Sequence, residues 1–289
     1  MNTEKFIYVI RHAARGPTYK IKKLEKMLVA PSSPDLLKTG ESEALVYGQN
    51  LAKKLELVDE EVLAFSSPQT RCQQTLQQII LGMRLDVEMI VDYKLTLGYP
   101  SKLTKFPDVF EMFPESEEYE RLYFNYYSMM SELEDALEIE DGYKSVPKTK
   151  KGFLTGLHLI CSYGGNLLCY QNLGLDLSEI IPADIMTELF IIHGLVYHFI
   201  FSRLYQLLKD KLIDLVKYLL SFPEKIIIVT SHDAIIYLLI LLIKDMTQSK
   251  IVYPYPNYLA TITIHQTSEF IRVRYGDHDL DQIKISDLI

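Results

Sequence analysis

Arg11-His12-Ala13-Ala14-Arg15-Gly16-Pro17 follows directly on the apolar run Phe6-Ile7-Tyr8-Val9-Ile10. A run that is apolar on both faces predicts a central strand of a mostly parallel sheet with helices on each side. Ligands bind such sheets just beyond the carboxyl ends of the strands. Arginine is almost never fully buried unless it is paired. Two arginines around one histidine at this place therefore indicate an anion site, with ordinary surface charge as the alternative.

A second strand of this kind is predicted at residues 225–229, and it ends in Thr230-Ser231-His232-Asp233. A shorter strand at 62–65 leads into Ser67-Pro68, where serine is a good helix N-cap and proline suits the first helical position. The helix that begins there has Arg71 in its first turn, beside the carboxyl end of a strand. Because parallel strands end at one edge of a sheet, we expect all these side chains near the first motif.

The remaining segments predict an α/β protein with a mainly helical insertion. The sequence pattern changes at about residue 96, where a stretch with prolines at 100, 107 and 114 predicts loops before further helices. We predict an α/β core of residues 1–95 plus 222–289, with a doubly wound, mostly parallel sheet flanked by helices. Residues 96–221 are predicted to form a helical insertion that makes the roof of the pocket. Further predicted elements are helices at 39–55, 115–140, 152–172, 182–220 and 234–243 and strands at 87–91, 259–264 and 270–273.

The composition is that of an ordinary globular protein, and it limits the kinds of partner. The chain has 289 residues, 48% of them hydrophobic, and a formal net charge of −8, so its overall field does not attract nucleic acid. The most apolar stretches, 189–202 and 235–243, are shorter than the roughly 20 residues of a membrane-spanning helix. Buried core helices, and no membrane partner, are therefore expected.

The N-terminus and the cysteines bear on the compartment. No signal peptide pattern precedes the first strand. The three cysteines, Cys72, Cys161 and Cys169, form an odd and sparse set, which is more typical of a reducing compartment than of a secreted protein. We expect a cytoplasmic protein, or a secreted one if a leader has been removed.

Three motifs together resemble the histidine acid phosphatases, the second branch of the histidine phosphatase superfamily. Arg11-His12-x-x-Arg15-x-Pro17 and the distant His232-Asp233 match the two motifs that follow the first and a late strand of that family. Ser66-Ser67 with Arg71-Cys72 is similar to its intermediate motif, which supplies a third arginine. The resemblance implies a phosphoglycerate-mutase-like core and a phosphoric monoester hydrolase that works through phosphohistidine.

The resemblance also implies a role for each matching residue. His12 would be the nucleophile, and Asp233 would protonate the leaving group and then deprotonate the attacking water. Phosphoryl oxygens would be held by the family's remaining site residues, which are Arg11, Arg15, Arg71 and His232. An acidic pH optimum and no metal or other cofactor are expected. The expected partner is a small-molecule phosphomonoester, and the sequence leaves the oligomeric state open, monomer or homodimer.

Several features depart from the family pattern or leave alternatives open. Ala13 stands where the family has glycine, which would strain the backbone only if φ is positive there. Ala234 stands where threonine is more usual, on the leaving-group side. The secretory signal and disulfides that the resemblance would lead us to expect are not seen in this sequence, which bears on the compartment and not on the chemistry. Ala13 is the one motif change in favour of a second hypothesis, a non-catalytic homologue that binds phospho-ligands.

The substrate is the other open point. Lys20, Lys22 and Lys23 follow the first motif and could attract a polyphosphorylated substrate such as an inositol phosphate, or they could form a solvated face. The sequence after His232-Asp233 does not resemble the phytase subgroup. A general acid phosphatase is the favoured interpretation, and a phytase-like inositol-polyphosphate phosphatase is the alternative.

Overall fold

The structure is a computed structural model, and it describes residues 4–18, 20–28, 33–55, 62–97, 117–139, 150–248 and 256–284. The chain divides into two compact units. The first comprises Met1–Ala14, Asp35–Tyr99 and Tyr205–Ile289, and the second comprises Arg15–Pro34 and Pro100–Leu204. The loop-rich stretch predicted around the prolines at 100, 107 and 114 lies outside the described residues.

The first unit is built on a seven-stranded sheet in the order β3-β2-β4-β1-β5-β6-β7. The strands β1 to β4 run parallel, whereas β5 to β7 extend the sheet in antiparallel fashion beyond β1. The strands are β1 (Lys5–Arg11), β2 (Val62–Ser66), β3 (Met89–Val91), β4 (Ile226–Ser231), β5 (Thr261–Gln266), β6 (Phe270–Tyr275) and β7 (His278–Lys284). The predicted α/β fold is confirmed.

The α-helices of the described residues follow in chain order, and they are α1 (Lys22–Met27), α2 (Lys38–Leu55), α3 (Thr70–Met83), α4 (Glu117–Leu137), α5 (Lys150–Asn172), α6 (Ala183–Leu220) and α7 (Asp233–Thr247). In the first unit α2 and α3 pack on the sheet face that carries Tyr8, Ala64 and Ile228. The interior strands β1 and β4 are buried along almost their whole length, as their apolar sequences predict.

The two units differ from the predicted division at residues 15–34, 96–99 and 205–221. In the second unit the Ile21 N–H donates to the Tyr170 hydroxyl at 3.0 Å, which joins the segment after the first motif to α5. In the first unit the hydroxyl of Tyr205 donates to Asp245 of α7 at 2.7 Å. These contacts join residues far apart in sequence, so composition alone does not predict them. The predicted roof over the pocket stays a prediction.

Two local details also differ from the sequence-based expectation. The helix α3 begins at Thr70 with Gln69 as its cap, and not at Ser67-Pro68, because the Ser67 side chain bonds to a histidine and not to a helix N–H. The strand β7 was not predicted. Its sequence, HDLDQIK, is too polar to show the alternation of a half-buried strand clearly.

The helix α6 spans 38 residues, so it is longer than either of the apolar stretches 189–202 and 235–243, and it contains the first of them. Among the residues that the structure describes, it is the one helix long and apolar enough to cross a membrane by length and composition, and 56% of its most apolar window is buried. The core helix of a folded protein meets the same criterion.

Candidate active site

The two histidine motifs lie side by side at the carboxyl ends of neighbouring parallel strands. Arg11 at the end of β1 is in register with Ser231 at the end of β4. The His12 N–H donates to the Ser231 carbonyl at 3.0 Å, which continues the pairing by one residue. As a result the rings of His12 and His232 meet edge to face with centroids 5.8 Å apart. The juxtaposition that the two apolar strands predicted is present.

The ring of His12 is buried, and its main chain sets its tautomer. Only 2% of the residue is exposed. The ring Nδ1 lies 3.0 Å from the carbonyl oxygen of Ala13. A carbonyl can only accept, so Nδ1 carries the proton and donates it to that oxygen. The other nitrogen, Nε2, then has the lone pair that a nucleophile needs.

Ala13 fits the site without backbone strain. The residue is fully buried and does not have a positive φ. Its N–H donates to the Thr75 hydroxyl at 3.0 Å, and that hydroxyl donates in turn to the Arg71 carbonyl at 2.7 Å. The family's glycine is therefore not required here by backbone conformation.

The next residue of the loop packs directly on helix α2. The Leu37 N–H donates to the Ala14 carbonyl at 3.0 Å. A Cβ on Gly40 would lie 2.2 Å from that same carbonyl oxygen, which is closer than real Cβ contacts allow. Gly40 is thus the residue that lets α2 approach the loop, and the loop carries His12.

The ring of His232 is held by side chains from the segment between β2 and α3. The Ser67 Oγ lies 2.8 Å from Nε2, and the Arg71 Nη2 lies 3.4 Å from Nδ1. Arginine can only donate, so Nδ1 accepts and Nε2 carries the proton that bonds to Ser67. The Cys72 Sγ packs 3.6 and 3.7 Å from the two ring nitrogens. His12 and His232 therefore have opposite tautomers.

Arg11 and Asp233 form an ion pair at the same edge of the sheet. The Arg11 Nη2 is 3.5 Å from the Asp233 Oδ2, and the guanidinium carbon lies 4.5 Å from the centre of the Tyr258 ring. The Arg11 Nη1 donates to the carbonyl of Pro256. Asp233 is the first residue of α7, where the helix dipole favours a negative charge, and 26% of its side chain is exposed. A carboxylate accessible from solvent therefore stands beside a buried guanidinium.

Cys72 is a buried thiol that contacts this group of side chains. Burial raises its pKa from 9.0 to about 12, and the nearby Arg71 guanidinium and Ser67 hydroxyl offset only part of that rise. Its Sγ lies 3.5 Å from the carbonyl oxygen of Ser231, to which the thiol donates. The residue is thus a neutral thiol at physiological pH, and it packs against His232 without supplying a nucleophile.

Arg15 and the three lysines belong to the second unit. The Arg15 Nη1 donates to the Gly16 carbonyl at 2.7 Å, and its predicted phosphate contact stays a prediction. Lys20 pairs with Glu25 at 3.8 Å. Lys23 pairs with Glu138 at 3.4 Å and donates to the Ala136 carbonyl at 2.8 Å. These pairings favour the solvated-face interpretation for Lys20 and Lys23.

Sequence reasoning missed several contacts of the site. It placed six side chains together, those of Arg11, His12, Arg15, Arg71, His232 and Asp233. Arg15 belongs to the second unit, and the structure brings the other five to one edge of the first unit. It did not identify the hydrogen bond between His232 and Ser67, the two hydrogen bonds of the Thr75 hydroxyl, or the packing of Tyr258 against Arg11. No local pattern marks such contacts, which join residues of different elements. In the part of the chain that the structure describes, no group of three or more metal-ligating side chains is present.

The comparisons with known proteins rest on structure. No family model and no curated protein matches the sequence. The phytase of Hafnia alvei in complex with tartrate superposes with a TM-score of 0.66 at 13% identity, covering 94% of this chain and 85% of that protein. A Klebsiella phytase gives 0.58 at 14% identity, covering 99% of this chain and 83% of that protein.

A third structure, an inositol polyphosphate phosphatase, has a TM-score close to that of the Klebsiella phytase. The Bifidobacterium longum multiple inositol polyphosphate phosphatase, in complex with inositol hexasulfate, gives a TM-score of 0.56 at 10% identity and covers 96% of this chain and 87% of that protein. At such low identity these likenesses establish the fold. The chain therefore has the fold of phytases, as its resemblance to histidine acid phosphatases implies.

Proposed function

We propose that this protein hydrolyses phosphate monoesters through a phosphohistidine formed on His12. The observation that carries the proposal is the bond from the His12 Nδ1–H to the Ala13 carbonyl, which leaves the lone pair on Nε2. Two further observations support it. The ring stands at the edge where β1 and β4 end, and Arg11, Arg71, His232 and Asp233 reach the same edge in a fold shared with phytases.

In the first step the Nε2 lone pair attacks phosphorus and the bond from phosphorus to the ester oxygen breaks. The carboxylic acid of Asp233 gives its proton to the leaving oxygen, so that an alcohol departs. Guanidinium groups match phosphoryl oxygens in bidentate fashion, and their charge stabilises the transition state. Arg11 and Arg71 have this role in the proposal, with Arg15 as the predicted third arginine.

In the second step a water molecule attacks the phosphohistidine. The Asp233 carboxylate takes the proton of that water, the bond from phosphorus to Nε2 breaks, and inorganic phosphate leaves. The His232 proton is on Nε2, and we assign that N–H as a donor to a phosphoryl oxygen, shared with Ser67. Each group thereby returns to its starting protonation state.

The test is hydrolysis of p-nitrophenyl phosphate from about pH 4 to 8 with a chelator present. We expect the rate of turnover to be highest at the acidic end of this range, because Asp233 must be protonated to act in the first step. We also expect the activity to persist in the presence of the chelator. His12→Ala should abolish it and Asp233→Asn should slow it by about 100-fold or more. If pure, folded wild type shows no turnover but still binds phosphate or vanadate, the non-catalytic homologue is the better account.

The phytase-like alternative is favoured by the names of the structural neighbours and disfavoured by the pairing of Lys20 and Lys23 with carboxylates. A triple variant in which Lys20, Lys22 and Lys23 are all replaced by alanine distinguishes the general phosphatase from the phytase-like enzyme. For a general phosphatase, KM for inositol hexakisphosphate and for p-nitrophenyl phosphate should both change by no more than about twofold. A KM that rises only for the polyanion would support the phytase-like enzyme.

A further inference from the structure

Thr75 joins the two halves of the candidate site through one hydroxyl. The residue is fully buried in α3. Its Oγ1 accepts from the Ala13 N–H at 3.0 Å and donates to the Arg71 carbonyl at 2.7 Å. A hydroxyl has one donor and two acceptor positions, so both bonds form at once. One end of this connection is the residue after His12, and the other is the main chain of Arg71.

Ala13 is the residue on which this connection acts. Its carbonyl accepts the Nδ1–H of His12, while its N–H is held by Thr75. Without the hydroxyl, the buried N–H would have to turn toward another acceptor, because an unsatisfied buried donor is unfavourable. Turning residue 13 would also move the carbonyl that sets the tautomer of His12.

We propose that Thr75 is a positioning residue that couples His12 to Arg71 and thereby keeps the nucleophilic nitrogen unprotonated and aligned. The inference rests on the proposed function of these two residues. It concerns a residue outside the three sequence motifs. Thr75 does not touch the reacting atoms, and it acts on His12 through Ala13.

The experiment compares Thr75→Val, which keeps the shape without the hydroxyl, with Thr75→Ser, which keeps the hydroxyl. We expect the valine variant to lose about 10- to 100-fold in kcat for p-nitrophenyl phosphate, and the serine variant to stay within about threefold of wild type. Thr247→Val is the matched control. The Thr247 hydroxyl donates to the Ile243 carbonyl at 2.9 Å, four residues back in α7, as Thr75 does in α3, but without a bond to the site.

A spectroscopic measurement separates positioning from a general loss of stability. The nitrogen chemical shifts of His12 in NMR spectra report which ring nitrogen carries the proton. We expect the Nδ1–H tautomer in wild type, Thr75→Ser and Thr247→Val, and a mixture of tautomers in Thr75→Val. If Thr75→Val lowers only the melting temperature, with wild-type kcat and tautomer, the proposal is overturned.

Two further provisions keep the test decisive. If Thr75→Val does not fold, hydrogen exchange of the Ala13 amide in wild type replaces it, since the bond to Thr75 should slow that exchange strongly. Rapid exchange of this amide would contradict the proposal. If wild type has no phosphatase activity, the proposed function fails, whereas the tautomer of His12 in the variants still decides the role of Thr75.

Discussion

His12 and His232 stand at the ends of neighbouring parallel strands, but different parts of the molecule hold them. His12 is held by main chain, because its ring bonds to the Ala13 carbonyl and the loop is fixed through the Ala13 N–H and the Ala14 carbonyl. His232 is held by side chains, because Ser67 and Arg71 contact its two ring nitrogens. At the same edge of the sheet, the ring of His12 is thus held by main-chain contacts and the ring of His232 by side-chain contacts.

The two histidines therefore differ in the substitutions that they tolerate. A group oriented by main chain is sensitive to whatever displaces the backbone, including packing by residues that never touch the ring. A group oriented by side chains is sensitive to single truncations around the ring. For the reaction proposed here, the nucleophile is the histidine whose ring bonds to the main chain, which suits a group that must hold its lone pair in one direction.

The largest effect is expected from Gly40→Ala. The added Cβ would meet main-chain atoms of Ala14, so the loop that carries His12 must shift. We expect a loss of about 1–3 kcal/mol in the free energy of unfolding, as is typical of overpacking. We also expect a fall of about 100-fold in kcat/KM for p-nitrophenyl phosphate.

Gly165→Ala is the control for Gly40→Ala. Gly165 lies in α5, and a Cβ there would meet nothing within 4 Å. Alanine favours a helix over glycine by up to about 1 kcal/mol, so this variant should be neutral or more stable with unchanged activity. Wild-type kinetics for Gly40→Ala would show that packing of the loop on α2 does not fix the position of His12.

Ser67→Ala should have a smaller effect, confined to the side of His232. It removes the acceptor of the His232 Nε2–H, and it should lower the free energy of unfolding by about 1 kcal/mol. We expect kcat/KM to fall by about 10-fold, with the His12 tautomer unchanged in NMR spectra. A changed tautomer of His12 would mean that the two supports are not separate.

Cys72→Ala should have the smallest effect on activity, within about threefold of wild type, because the thiol is neutral and only packs against His232. The same variant tests the raised thiol pKa, which is about 12 in the folded chain against 9.0 for an ordinary thiol. A raised pKa stabilises the folded state fully below about pH 9, and this contribution is lost as pH rises toward 12.

The measurement is urea unfolding of wild type and Cys72→Ala at about pH 8 and about pH 10.5. Between these pH values wild type should lose about 2 kcal/mol more than the variant, since one proton per chain is worth about 1.4 kcal/mol for each pH unit. Buried tyrosines titrate equally in both proteins and cancel in the difference. Parallel losses would mean that the thiol ionises in the folded chain as it does in the unfolded one.

Local sequence patterns predicted the elements that local physics governs. The apolar runs before His12 and His232 gave correct predictions for β1 and β4, and their parallel direction could be predicted because strands buried on both faces are typical of parallel sheets. Arg71 lies in the first turn of α3, as predicted from the strand before it. The edge strand β7 could not be predicted, because its alternation is obscured by polar residues.

The supporting contacts of the site could not be predicted, for a different reason. Thr75 lies 62 positions from Ala13, and Ser67 lies 165 positions from His232. Nothing in the residues around Thr75 distinguishes it from any other threonine on an amphipathic helix. Whether its hydroxyl meets the backbone after His12 depends on how closely α2, α3 and the loop pack. Gly40 allows α2 to approach the loop, and Gly48 and Gly82 allow α2 to approach α3.

The most direct test of the central claim is to capture the covalent intermediate in Asp233→Asn. This variant lacks the base for the second step. Its first step with p-nitrophenyl phosphate is slowed less, because p-nitrophenolate is a good leaving group that depends only weakly on a general acid. Rapid mixing with radiolabelled ester, an alkaline quench and peptide mapping should find the label on His12, stable to alkali and lost in acid. Continued turnover with no label on His12, or with label on another residue, would contradict the account.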